Sequence, residues 1–101
     1  MNGRVVLTHE ARDDIARSAI WYRDRSVRAA DEFLVALGLA MSRIESQPTS
    51  NVVVDASTGT RRALLRKFPH RVLYLIEDEK IVVFAVMHHR REESNWRGRL
   101  E

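Results

Sequence analysis

The chain has 101 residues, 45% of them hydrophobic and 31% charged, with a net charge of +3 and no cysteine. That length makes a single domain, residues 1–101, with one core; the missing cysteines exclude disulfides and thiolate metal sites. The longest apolar run, Ile81 to Met87, is too short to cross a bilayer, and the N-terminus lacks the apolar core of a signal peptide, so a cytoplasmic protein without membrane association is expected.

Val5-Val6-Leu7 reads as a short strand that stops at Thr8, whose hydroxyl can cap a following helix, with Asp13 and Asp14 near that helix's positive end. The first helix is predicted to run to about Arg23, since Ala11, Ile15, Ala19 and Tyr22 recur at helical spacing, with Ile20 and Trp21 widening the stripe. Trp21 and Tyr22 are read as core and rim of this helix. After a short connection, Asp24-Arg25-Ser26, a second helix places Ala30, Phe33, Leu34, Leu37, Met41 and Ile44 on one face and cannot continue past Pro48. Two such helices on a tight link form an antiparallel hairpin.

Residues Thr49 to Gly59, rich in Ser, Thr and Asn, read as a loop, with Val52-Val53-Val54 as an apolar island that could form a stray strand. Three strands are predicted next, Arg62 to Arg66, Arg71 to Ile76 and Ile81 to Met87, the last two joined by the polar turn Glu77-Asp78-Glu79-Lys80. Ser94 is placed to cap a terminal turn containing Trp96. The order strand, helix, helix, three strands, short helix predicts an α+β domain whose helix hairpin covers one face of a small, mainly antiparallel sheet.

From Thr60 onward there are ten Lys/Arg against six Asp/Glu, whereas Met1 to Gly59 carry seven against eight. The positive excess therefore belongs to the strands and points toward polyanions or acidic protein segments as partners. His88 and His89 do not make a metal site, because neighbours on a strand project to opposite faces. One of them is expected to face the core or helix hairpin and the other solvent or a partner. His9, next to a helix start, and His70, after a proline turn, are read as surface residues. No metal and no cofactor are expected.

The helix hairpin followed by Gly59-Thr60-Arg61-Arg62, then Phe68-Pro69-His70-Arg71-Val72-Leu73-Tyr74, then Ile81 to His88 and Arg91, resembles the RelE/ParE toxin superfamily over nearly the whole chain. The resemblance implies a small toxin of a type II toxin–antitoxin pair, neutralised by an antitoxin encoded beside it. ParE-like members poison DNA gyrase; RelE-like members cut messenger RNA on the ribosome. Two positions depart from the pattern: His70 stands where Tyr is frequent, and Glu93 where Pro usually follows Arg-Arg-Asp.

A nuclease using the 2′-hydroxyl as nucleophile needs a base, a cation for the phosphorane charge and an acid for the leaving oxygen. Arg61, Arg66 or Arg71 could hold phosphate, and His70 or His88 could move protons near neutral pH. Against this, cations at strand ends are commonly solvated or paired. A gyrase poison performs no bond chemistry; it traps an enzyme already holding cleaved DNA, and Arg90, Arg91, Trp96 and Arg97 offer the Arg and aromatic side chains enriched at interface hot spots. For Trp96 the competing role is to pin the terminal turn to the sheet. The stretches Phe68-Pro69 and Ala85 to His88 resemble ParE-like chains more than the Lys-rich nuclease branch. The favoured expectation is therefore a gyrase-trapping toxin with an acidic antitoxin as partner. Ribosome-dependent mRNA cleavage is the alternative, and a non-toxic binding module of the same fold a third reading.

Overall fold

The computed structural model describes residues 4–88 and 96–100. In chain order these form β1 (Arg4–Leu7), α1 (His9–Arg23), α2 (Val27–Ser46), a 3₁₀ turn (Pro48–Ser50), β2 (Val53–Asp55), β3 (Thr60–Leu64), β4 (His70–Glu77), β5 (Lys80–His88) and a 3₁₀ helix (Trp96–Leu100). The strands make one sheet of order β1-β5-β4-β3-β2, in which β1 and β5 pair in parallel and the other neighbours are antiparallel. This is the expected α+β architecture with one addition: the apolar island at Val52 to Val54 contributes the short edge strand β2.

Both helices start where a side-chain oxygen takes an otherwise unpartnered amide. Thr8 accepts from the Ala11 N–H and Ser26 from the Ala29 N–H, each at 3.2 Å, a cap worth about 1 kcal/mol. Between the helices the amides of Arg25 and Ser26 return to the Tyr22 carbonyl at 2.9 and 2.8 Å, which closes the hairpin within three residues. α2 ends at Ser46 because Pro48 disfavours helical backbone in the residue before it.

The helix hairpin and one sheet face enclose the main core. Phe33, Leu37, Ala40 and Ile44 of α2 meet Val72, Tyr74, Ile81, Val83 and Val86, with Ala11 contributed by α1. Burying each large side chain contributes about 1.5–3 kcal/mol. Leu34, predicted on the inner stripe of α2, is 45% exposed at its margin instead. Tyr22 packs into the core while Trp21 stands 37% exposed, reversing the assignment made from the stripe alone.

The opposite sheet face has its own small core of Leu73, Phe84, Ala85, Met87 and Trp96. It exists because of a β-bulge: Leu73 pairs with Ala85 but Tyr74 with Val83, so Phe84 is the extra residue on β5. The bulge turns Phe84 toward Trp96, their ring centroids 5.9 Å apart. The β4–β5 turn is two residues long between the paired Glu77 and Lys80, with Asp78 at φ 53, a left-handed conformation that Asp tolerates better than most residues.

Candidate functional site

His70 begins β4 directly beneath the helices and is 4% exposed. Its Nε2 lies 3.3 Å from Ser18 Oγ of α1, and its ring packs edge-on against Phe33 at 5.0 Å between centroids. The β4–β5 register sets His88 opposite it, with the two rings 5.4 Å apart. The expectation of a surface role for His70 is corrected by this burial: Phe68-Pro69 makes the turn, but the next side chain enters the layer between sheet and helices. His9 is exposed, as expected, and lies 3.4 Å from Asp13. His89 is outside the described residues.

Of the three arginines considered as phosphate ligands, Arg61 stands apart from Arg71, three positions away along the β3–β4 ladder. Arg61 Nη1 donates to the Thr49 and Asn51 carbonyls at 2.9 and 2.7 Å, tying β3 to the turn after α2. It pairs with Tyr74, four positions along β4 from His70, or about 13 Å at strand rise. Arg71 follows His70 on the strand and therefore projects to the other face. Arg66 is exposed in the β3–β4 turn beside Lys67, whose φ is 69. Tyr74 is fully buried; its hydroxyl donates to the Pro48 carbonyl at 2.6 Å and accepts from Asn51 Nδ2 at 3.0 Å. Burial raises its pKa above 10.0, opposed by the Asn51 hydrogen bond and the Arg61 charge.

Of the residues expected to bind a target, Arg90 and Arg91 lie outside the described residues, as does the capping position Ser94. Trp96 is 3% exposed and fills the second core, so its indole is covered rather than presented. Arg97 is exposed and sits 4.4 Å over the Trp96 ring, donating to Asp55 Oδ2 at 3.2 Å. Asp55 also accepts from Ser57 and Thr58 in the β2–β3 turn. The Ser57 hydroxyl is the chief cause of a pKa held below 3.8, with Thr58 and Arg97 acting in the same sense against the cost of burial.

The sequence reading missed the residue that anchors this end of the molecule. Asp14 is 2% exposed, and its two oxygens take Arg17 Nη2, Arg99 Nη1 and Nη2, and the Val86 N–H, at 2.6–3.1 Å. β1 stops at Leu7, opposite Val83, so among the described residues the β5 edge beyond it has no strand partner; Asp14 takes the Val86 amide and Arg99 donates to the Phe84 carbonyl. The available signal was a carboxylate in the inward stripe, three residues after Ala11 and four before Ser18.

A second missed feature is the outer side of α2, where a groove of about 620 Å³ runs between the helix and the β3–β4 turn. Val35, Leu39 and Phe68 line it together with Arg43, Arg66 and Lys67.

The family model described as the ParE toxin of the type II toxin–antitoxin system parDE matches residues 5–93. The chain belongs to the ParE toxin family. A chain of the solved structure of the chromosomal ParDE TA system from P. aeruginosa superposes with a TM-score of 0.72 at 10% identity, over 85% of this chain and 95% of that one. At that identity the likeness is one of fold. No curated protein matches the sequence at a significant level. As a ParE toxin the protein is one half of a toxin–antitoxin pair. Among the described residues no helix is long and apolar enough to cross a membrane.

Proposed function

We propose that this ParE toxin acts in the cytoplasm by binding, holding DNA gyrase on the DNA it has cut, and that a cognate antitoxin silences it by direct contact. The observation that carries the reading is the position of His70. A general acid or base must come within hydrogen-bond reach of the proton it moves, and His70 is covered by Ser18, Tyr22 and Phe33 beneath the helix hairpin. Arg61, one of the three cations considered for holding phosphate, is committed to two backbone carbonyls.

The exposed cations suit binding. Arg97 stands over Trp96, and Arg66 and Lys67 lie exposed in the β3–β4 turn. Exposed positive charge on a small domain raises encounter rates with anionic surfaces, a gyrase–DNA complex or an acidic antitoxin alike.

The test is to follow macromolecular synthesis in cells after the toxin is induced. DNA synthesis should fall before protein synthesis, and co-expression of the antitoxin should restore both. Immediate loss of protein synthesis with cleaved messenger RNA would contradict the proposal.

A further inference from the structure

Among the described residues Arg61, Arg62, Arg71 and Arg99 are half-buried, and the guanidinium groups of two of them are unmatched. Arg61 donates to the Thr49 and Asn51 carbonyls and Arg99 to Asp14. The side chains of Arg62 and Arg71 make no hydrogen bond or ion pair within those residues, and the Arg71 Nε is buried without an acceptor. A guanidinium drawn partly out of water costs stability unless an anion meets it. A buried donor left open calls for a reason.

The two arginines share one sheet face. In the β3–β4 register Arg62 stands opposite Leu73 and Leu64 opposite Arg71, which makes the arginines diagonal neighbours, roughly 7–8 Å apart. Side chains alternate along a strand, so both lie on the face of Leu73 and Met87, away from the helix hairpin. Trp96 covers part of that face, and Arg97, seated over Trp96 and paired with Asp55, adds a third cation at its margin. Leu64, opposite Arg71, is 51% exposed, so the face is open to solvent at that point.

The described carboxylates of this face are committed or distant. Asp55 is held by Arg97, Ser57 and Thr58. Glu77 pairs in register with Lys80 at the other end of β4, about 20 Å from Arg71 at strand rise. The fork of an arginine matches the oxygens of a phosphate, and cations spaced along a sheet suit a backbone whose charge recurs at every nucleotide. His70 and His88 lie on the opposite face, facing each other beneath the helices. A phosphate at Arg62 and Arg71 is therefore gripped without a described imidazole beside it to move a proton.

We infer that Arg62 and Arg71 form a phosphodiester-binding site on the sheet face away from the helices, with which the toxin holds the backbone of gyrase-bound DNA. The inference rests on the gyrase reading above and names the part of the gyrase–DNA complex that this face touches. The Arg71 Nε finds its acceptor in a phosphate oxygen, and Arg62 takes the same phosphate or the next.

The experiment follows the fluorescence anisotropy of a labelled duplex DNA as toxin is added at several salt concentrations. The melting temperature of each variant, and the linear plasmid it yields with gyrase and ATP, are recorded beside it. The unaltered toxin should bind duplex with an affinity that falls as salt rises. Arg62→Gln and Arg71→Gln should each reduce the slope of log affinity against log salt by about 1. Arg71→Met removes a buried donor that has no acceptor, so it should melt at or above the temperature of the unaltered toxin while binding DNA as weakly as Arg71→Gln. Arg28→Gln, on the helix hairpin and already paired with Glu32, should leave the slope unchanged. Undiminished duplex binding, or undiminished gyrase trapping, by a folded Arg62→Gln/Arg71→Gln toxin overturns the site and leaves the gyrase reading standing. Duplex binding that depends on these arginines, from a toxin that yields no linear plasmid, upholds the phosphate site and removes the gyrase reading. Tighter binding of a single-stranded RNA of the same length, lost in the same variants, would assign the face to RNA instead.

Discussion

Arg99 Nη1 lies 2.6 Å from Asp14 Oδ2 and its Nη2 3.1 Å from Oδ1, so the last described turn is clamped to the first helix by a two-pronged ion pair. Such paired geometry fixes orientation as well as distance. The same carboxylate holds the Val86 amide, so three separate parts of the chain meet at one side chain.

Asp14→Ala should therefore cost about 3–5 kcal/mol, because it strands the Val86 N–H and leaves Arg99 without its counter-charge. Arg99→Ala should cost less, since Arg17 and the Val86 amide still serve the carboxylate. Urea unfolding of both single variants and the double variant measures the coupling. Costs that simply add would show that the pair does not act as a unit.

Trp96 and Arg97 are neighbours in sequence with different expected behaviour. Trp96→Ala empties the second core and should destabilise by about 3–5 kcal/mol, with toxicity falling alongside stability. Arg97→Ala removes an exposed cation and should shift stability by no more than about 1 kcal/mol. If Arg97 contacts the target, toxicity falls in a protein that melts normally. Full toxicity of Arg97→Ala would remove it from the proposed contact set.

His70→Phe should retain toxicity. The pocket already holds Tyr22, Phe33 and Phe68, so a ring of similar size keeps the packing while removing the titrating nitrogens. The loss of the Ser18 contact should cost about 1 kcal/mol. A folded His70→Phe protein without toxicity would revive the catalytic role.

Stability should depend on pH at both ends of the range. Asp55 has a folded pKa below 3.8, so its contribution is present above the unfolded value and is lost as pH falls through the lowered one. Tyr74 is raised above 10.0, so its contribution is present below the unfolded value and is lost as pH climbs through the folded one. Thermal melts across pH, with Asp55→Ala and Tyr74→Phe for comparison, check each side. The Asp55→Ala deficit should shrink in acid, and the Tyr74→Phe deficit in alkali.

Periodicity revealed the helix hairpin and the β4–β5 pair because their packing is local and repeats at 3.6 and 2 residues. It carries no sign of the bulge at Phe84, which breaks strand alternation, and it misassigned Trp21 and Tyr22, adjacent residues of which only one can point fully inward. The surface assigned to His70 followed from the proline before it, whereas its burial depends on Ser18 and Phe33, far away in sequence. Asp14 was seen only as a charge near a helix start; its partners Val86 and Arg99 are 72 and 85 residues away. Leu34, Val35 and Leu39 were legible as apolar, but a stripe does not say which of its margins the fold leaves uncovered.

The most direct measurement incubates purified DNA gyrase, ATP and plasmid with increasing amounts of folded toxin, then adds detergent and protease and looks for linear DNA. Gyrase trapping predicts linear plasmid that accumulates with toxin and disappears when antitoxin is added first. Unchanged supercoiling with no linear product, from a toxin that melts cooperatively, would contradict it and direct the search to ribosome-bound messenger RNA.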